Sequence, residues 1–443
     1  MKLRLAPTPA ALLQVGNARI ALATWLLARR HDGKILLRLD DADPARVTPE
    51  RIEALEHDLR WLGLDWDDRF QQSQRLELYQ AAADKLKTKG RLYPCFESEE
   101  ELVAKREHRQ RQGKPLLYDR AMLKLTAAQR ANAEAGGKRP HWRFLLQGPQ
   151  AEWGDMVLGR SSVKLTALSD PVLIRADGSY HNTFTSVVDD LDLGVTHLVR
   201  GDDHLTHTGI QLDVMAALGA RANTIRFAHL PLMTDTVGQK LTKRTGLVTL
   251  RSLRADGIEA ASLAGMLAAL GTDRAPAPAP PAVLAVNYDL SKIGRTPPAF
   301  DPKALLAVNR QALAATSFEA AQDRLPPAAT PAFWTAIRGD IDLLREARGW
   351  WDVVAGSIVP PLLEDEADYL HEALEHLPPE PWDEGTWGAW TGSITQATDR
   401  AGETLLMPLR LALTGEDHGP DLRELLPLMG RARVTERLKG AAS

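Results

Sequence analysis

Along the first 200 residues the apolar positions alternate between two periods. The run 2–6 is short and apolar enough for a buried strand, and 17–30 is rich in alanine and leucine, which suits a helix. A second strand is expected at 34–39. A second helix is expected at 49–62, where Ile52, Leu55, Leu59 and Leu62 fall at helical spacing. Strand, helix, strand, helix implies parallel strands joined by right-handed crossovers. The rhythm breaks over 93–150, a polar stretch with the basic run Lys105-Arg106-Glu107-His108-Arg109-Gln110-Arg111, which reads as an insertion. The α/β pattern resumes with 171–175, then Val187-Val188, then 197–200. The Ala/Pro tract 275–281 reads as a spacer or surface loop. Beyond about 301 the pattern turns helical and tryptophan-rich, with Trp350-Trp351 in its midst. No internal repeat is visible.

Composition narrows the class without naming a function. A chain of 443 residues exceeds one ordinary core, so about two to four domains are expected. Apolar content of 44% and charged content of 25% are those of a soluble globular protein. The formal net charge of −4 offers no global basic field, so any contact with nucleic acid must come from local patches. Cys95 is the only cysteine, which excludes internal disulfides and a thiolate-rich zinc cluster and fits a reducing cytoplasm. No basic-then-apolar leader opens the chain. No apolar run reaches the roughly 18 residues of a membrane span. The expectation is a cytoplasmic multidomain protein with no membrane partner.

Two segments carry candidate chemistry. In Arg4-Leu5-Ala6-Pro7-Thr8-Pro9 the prolines stiffen the turn that leaves the first strand. Gly16 then opens the next helix with no side chain to block a ligand, and a helix N-terminus offers unpaired N–H groups suited to phosphate. By itself this is an ordinary strand–turn–helix unit, and many such units bind nothing. The second segment is Lys240-Leu241-Thr242-Lys243-Arg244. Crowding three cations into a short loop costs energy unless an anion is present, and a pyrophosphate leaving group would supply one. A solvated basic loop is the commoner fate of such a run.

These segments resemble the class I aminoacyl-tRNA synthetases, and within them the bacterial glutamyl-tRNA synthetases. The family's opening RFAPSPTGxLHVGxAR is followed in register from Arg4 to Arg19, and Leu37-Arg38-Leu39-Asp40-Asp41-Ala42-Asp43 is similar to its LRxEDTD. Val187-Val188-Asp189-Asp190 and Gly194-Val195-Thr196-His197-Leu198-Val199-Arg200-Gly201-Asp202-Asp203-His204 are distinctive of it, and the basic loop matches its KLSKR form. The likeness continues through 295–302 and Met407-Pro408-Leu409-Arg410-Leu411-Ala412-Leu413-Thr414-Gly415, so it spans nearly the whole chain.

The resemblance implies an α/β Rossmann-type catalytic domain, formed by 1–80 and 165–250. An acceptor-stem-binding insertion would occupy 81–164, a stem-contact region 251–305, and an all-α anticodon-binding domain 306–443. It implies ATP-dependent ligation of L-glutamate to tRNA-Glu, alone or with tRNA-Gln, through glutamyl-adenylate, by a cytoplasmic monomer with Mg²⁺ balancing phosphate charge. Gln14, Gly16, Asn17 and Lys243 would bind ATP, with Lys240, Thr242, Lys243 and Arg244 holding the reacting phosphates. Arg4, Ala6, Thr8, Asp40, Asn182, Ser186 and Arg200 would line the glutamate pocket. Arg4 and Arg200 are forks suited to carboxylates, and Asp40 would receive the α-ammonium.

Bland alternatives stand beside these roles. Arg200 would instead pair with Asp202 or Asp203, Asp40 would cap the next helix, and Asp189 and Asp190 would orient Arg200 or end a strand. A metal reading of His197, His204 and His207 is disfavoured. Some relatives carry a Cys-x-Cys zinc pair where this chain has Cys95 and Glu97, so no zinc is expected. Five residues depart from the family pattern. Gln14 replaces the first signature histidine, Ala10-Ala11 a Thr-Gly pair, Ala42 a threonine and Asn182 a pocket tyrosine. Glutamine donates a hydrogen bond but carries no proton or charge to a phosphate. The alternatives to an active ligase are a tRNA-binding paralogue with weak or lost activation, or one that activates another amino acid.

Overall fold

The structure, a computed structural model, describes residues 1–41, 47–239, 241 and 248–442. Lys240, Thr242, Lys243, Arg244 and Ala42 therefore lie outside the described residues. The chain divides into two compact units, one formed by 1–251 with 267–300, the other by 252–266 with 301–443.

The first unit is built on strands β1 (Lys2–Leu5), β2 (Lys34–Leu39), β3 (Asp68–Gln71), β4 (Leu92–Cys95), β5 (His141–Phe144), β6 (Ala151–Asp155), β7 (Gly159–Val163), β8 (Val172–Ile174), β9 (His197–Gly201) and β10 (Arg226–Leu230). Its helices include α1 (Val15–Arg30), α2 (Pro49–Trp61), α3 (Leu76–Thr88), α4 (Glu99–Arg111), α5 (Ala127–Ala135), α6 (Asn182–Asp192) and α7 (Leu205–Leu218). Seven strands form one sheet in the order β3-β2-β1-β9-β10-β6-β7. All its neighbours run parallel except the hairpin β6–β7. The chain steps outward from β1 to β2 and β3, then returns to lay β9 on the other side of β1. That reversal is the switch point at which open α/β sheets bind ligands, outside the carboxyl ends of the strands.

Burial explains why β2 reads as a continuous apolar run rather than an alternation. Residues 35–39 are all buried, as expected for a parallel sheet covered on both faces. On one face lies α1, packed on β1, β2 and β9. On the other, Tyr79, Ala83 and Leu86 of α3, Phe184, Val187 and Val188 of α6 and Ile210 and Val214 of α7 pack with Leu36, Leu198 and Phe227 of the sheet.

Val187-Val188, expected to continue the strand rhythm, lies inside α6 instead. Phe184, Val187, Val188 and Leu191 recur at helical spacing, and that stripe faces the core. Two adjacent β-branched residues were too short a signal to outweigh it. The polar stretch 93–150 also resolves into elements. It contributes β5, which joins β4 and β8 in a small antiparallel sheet. The hairpin β6–β7, just beyond it, extends the main sheet through the Phe227–Asp155 pairing. Helix α7 comes so close to that hairpin that a Cβ on Gly209 would lie 2.8 Å from Val163, so only glycine fits there.

The second unit is helical. Its long elements are α11 (Pro302–Ala315), α12 (Thr386–Thr398), α13 (Glu403–Thr414) and α14 (Arg431–Ala442), numbered after α8 (Leu250–Asp256), α9 (Ala260–Ala269) and α10 (Pro281–Val286). Trp334 and Trp390 are fully enclosed in its core. Each indole N–H donates to a carbonyl, Thr316 at 2.9 Å and Ala373 at 2.8 Å, which removes the penalty of burying it. Trp350 and Trp351 pack partly buried against the same core.

Candidate functional site

At the switch point each of three strands delivers a charged side chain. Arg4 lies in β1, Asp40 follows the last residue of β2, and Arg200 lies near the end of β9. Sequence reasoning named all three. It gave no role to Arg38, which holds Asp40 and lies beside Asp190, the carboxylate that Arg4 grips. Buried within β2, Arg38 donates from Nε and Nη2 to the two oxygens of Asp40 at 2.8 and 3.3 Å, and from Nη2 to the Ser186 hydroxyl at 2.9 Å. Its Nη1 lies 3.6 Å from both Asp189 and Asp190. Burial alone would pull its pKa down, but the carboxylates of Asp40, Asp190 and Asp189 outweigh that and raise it. A cation in a strand buried on both faces was the available signal, because such a charge must be paired.

Asp189 and Asp190 do not end a strand. On α6 they are the anionic hub of the cluster. Asp189, wholly buried, accepts from Gln72 at 2.8 Å, Arg75 at 2.8 Å and the Tyr79 hydroxyl at 2.9 Å. Asp190 takes both Nε and Nη2 of Arg4, at 2.5 and 3.2 Å. Asp40 is held by Arg38 and does not cap the next helix, whose N-cap is Thr48. Asp41 accepts from the Ser73 N–H and hydroxyl and from Gln71, which ties the loop after β2 to the loop after β3.

Arg200 differs from the other two arginines. Its Nη1 donates to Gln211 on α7 at 2.7 Å, and its guanidinium lies 4.9 Å from the centre of the Phe227 ring. Neither Asp202 nor Asp203 pairs with it among the described residues; Asp202 accepts from the Leu232 N–H instead. Among the described residues, Nε and Nη2 of Arg200 are buried without a hydrogen-bond partner. Burial, then the nearby positive charge of Arg4, lowers its pKa to about 9, so it remains a cation at neutral pH. Arg4 and Arg38 each use the Nε/Nη2 edge to grip a carboxylate. Arg200 presents the same edge with no partner among the described residues.

The remaining pocket positions take their places around this group. Ser186 is pinned by Arg38, while Asn182 is exposed at the first turn of α6. Ala6 is half-buried and Thr8 exposed in the turn that leaves β1. His204 and His207 lie with ring centroids 5.4 Å apart. Among the described residues no group of three or more His, Cys, Asp or Glu is arranged to hold a metal ion. Cys95 is a buried thiol within 3.5 Å of the Tyr118 hydroxyl. Glu97 is engaged by Tyr118 and Lys105.

The same turn leads into α1. Gln14 is its N-cap, but its side chain does not bond back to the helix. Gly16 and Asn17 are exposed in the first turn, and a Cβ on Gly16 would approach nothing nearer than Met233 at 4.0 Å. First-turn N–H groups have no partner inside a helix and attract anions. The segment 248–250 runs antiparallel beside 13–15, with Val15 N–H to Val248 O at 3.1 Å and Leu250 N–H to Leu13 O at 3.0 Å. Residues 248–250 are thus bonded to the N-terminus of α1.

A parallel sheet with a helix N-terminus and a charged cluster at its switch point defines a nucleotide-binding α/β protein of the Rossmann type. Residues 1–277 match the family described as tRNA synthetases class I (E and Q), catalytic domain, and 361–442 match an anticodon binding domain. The chain belongs to that class I tRNA synthetase family. It is 54% identical to glutamate–tRNA ligase 2 of Gluconacetobacter diazotrophicus over the full length of both chains, and 55% identical to the protein so named in Acidiphilium cryptum, again over the full length of both. Among solved structures it is similar in fold to a glutamate tRNA ligase from Elizabethkingia meningosepticum in complex with its amino acid. That match has a TM-score of 0.84 at 22% identity and covers 100% of this chain and 99% of that one.

Proposed function

We propose that the cluster at the carboxyl ends of β1, β2 and β9 is a glutamate pocket, and that the N-terminus of α1 with the basic run 240–244 is the adjoining ATP site. Full-length homology makes the chain a ligase that joins glutamate to tRNA and uses ATP. The observation that carries the residue assignment is the buried, unpartnered Nε/Nη2 edge of Arg200. A desolvated cationic fork requires an anion of matching shape, and a side-chain carboxylate fits it bidentately. Arg4, with its own edge on Asp190, adds charge and its remaining N–H groups. Asp40 keeps lone pairs beyond those used by Arg38, so it can accept from an α-ammonium. Ala6, Thr8, Asn182 and Ser186 complete the lining.

In the reaction the glutamate α-carboxylate attacks the α-phosphorus of ATP, forming glutamyl-adenylate as pyrophosphate leaves. The terminal adenosine hydroxyl of tRNA then attacks the acyl carbon and AMP departs. Positioning and charge stabilisation supply most of the rate. Gln14, Gly16 and Asn17 lie against the phosphates, and Lys240, Thr242, Lys243 and Arg244 hold the departing pyrophosphate. Mg²⁺ would balance the phosphate charge, held largely by the triphosphate itself. The stretch 81–164 would meet the acceptor stem, 251–305 the rest of the stem, and 306–443 the anticodon, in a cytoplasmic monomer. No helix among the described residues is long and apolar enough to cross a membrane.

ATP–pyrophosphate exchange with glutamate, measured with tRNA bound, tests the assignment. Exchange that persists with unchanged glutamate KM in Arg200→Leu would remove the pocket from this place. Gln14→His gauges the phosphate end: faster exchange marks phosphate contact as limiting.

A further inference from the structure

The pocket reading names Arg200 but leaves open what aims it. A guanidinium has no acceptor atom, so the Gln211 atom facing Nη1 must be the amide oxygen. Its amide nitrogen then points away and donates to the Thr183 carbonyl at 3.4 Å, in the first turn of α6. Gln211 is itself buried, at 4% exposure. It spans β9 and α6, the two elements that carry Arg200 and the Asn182–Ser186 wall. The Phe227 ring covers one face of the guanidinium. With that face covered and the Nη1 end held, only the Nε/Nη2 edge is left for a ligand.

We infer that Gln211 is the positioning residue of the pocket: by accepting from Nη1 with a neutral oxygen it aims the Nε/Nη2 edge while leaving the full cationic charge for the ligand carboxylate. This rests on the reading of Arg200 as the carboxylate-binding group. The neutrality is the important point. An acidic residue here would hold Arg200 equally well but cancel its charge, and an isosteric apolar residue would keep the charge but release the edge. Selectivity for a carboxylate over the carboxamide of the same length therefore depends on an uncharged acceptor at this position.

The two substitutions separate these effects. Exchange kinetics with tRNA bound would be measured for Gln211→Met and Gln211→Glu, with glutamine as competitor, beside Arg200→Leu. Gln211→Met should raise the glutamate KM about 10-fold, as loss of a charge-assisted bond does, with the ATP KM unchanged. Gln211→Glu should lower discrimination of glutamate against glutamine by about 10-fold or more, a change that a merely structural role would not produce. Wild-type discrimination in Gln211→Glu overturns the inference, as does a parallel rise of both KM values in both variants. If Arg200→Leu abolishes selective glutamate binding while both Gln211 variants behave as wild type, this inference fails and the pocket stands. If all three variants keep the wild-type glutamate KM, both fall.

Discussion

The two ends of the candidate site are built in opposite ways. At the carboxylate end Arg4, Arg38, Arg75, Asp40, Asp189 and Asp190 hold one another through paired charges across β1, β2, α6 and the turn before α3. Each side chain there has its rotamer set by a neighbour, so a ligand would meet a surface already in place. At the phosphate end, α1 presents Gly16 and Asn17 to solvent, and its N-cap side chain makes no capping bond. Among the described residues, bracing comes from the backbone pairing of 13–15 with 248–250 and from Arg51, which donates to the Ala10 carbonyl at 3.1 Å. The difference teaches that discrimination between amino acids can rest on preorganised charge. In the proposed site the phosphates would depend on helix geometry instead.

The largest effect should come from the open edge itself. Arg200→Leu is expected to lower kcat/KM for glutamate by about 10²–10³-fold, because a bidentate charged contact in a desolvated pocket is lost. Steady-state kinetics should show the ATP KM nearly unmoved, and an equal loss on both substrates would erase the distinction between the ends. Next comes the bracing. Asp190→Ala removes the carboxylate that Arg4 grips and leaves buried positive charge uncompensated. A loss of about 3 kcal/mol in the unfolding transition of the first unit is expected in urea. A loss under about 1 kcal/mol would mean that the network orders nothing.

Gln14→Ala tests the other end. Since its side chain caps nothing, stability should change by less than about 0.5 kcal/mol. Exchange should fall roughly 10-fold through the ATP KM if the amide touches phosphate. The smallest effect is titration. Burial first of all lowers the pKa of His141, His181, His197 and His204. Between the lowered folded values and the ordinary value near 6.5, the unfolded chain binds protons that the folded chain resists. These groups therefore contribute stability that is full above that range and is lost as pH falls through it. Exposed His418, raised by Asp417, works in the opposite direction. Thermal melts should show Tm a few degrees lower near pH 5.5 than near pH 7.5. A Tm that rises on acidification would contradict the burial argument.

What the sequence made legible follows the same division. Strands β1 and β2 and helices α1 and α2 begin and end within two residues of the expectation, because long stretches of regular period dominate local choice. Arg4, Asp40 and Arg200 were named from motif register, and they converge at the switch point. Their partners were harder to see. Arg38 was hidden in an apolar run and Gln211 in a helix with no motif of its own, while Asp189 and Asp190 were named only as groups that would orient Arg200 or end a strand. The role of each became visible only when the topology brought residues far apart in sequence within hydrogen-bond reach. Hairpin β6–β7 escaped for a similar reason: its place in the main sheet depends on a pairing with β10, distant in sequence.

The most direct test is aminoacylation of cognate tRNA with labelled glutamate beside labelled glutamine. A pocket organised around an open arginine edge predicts efficient charging with glutamate and at least about 10³-fold weaker charging with glutamine. Equal charging with both, or with neither while tRNA is bound, would contradict it.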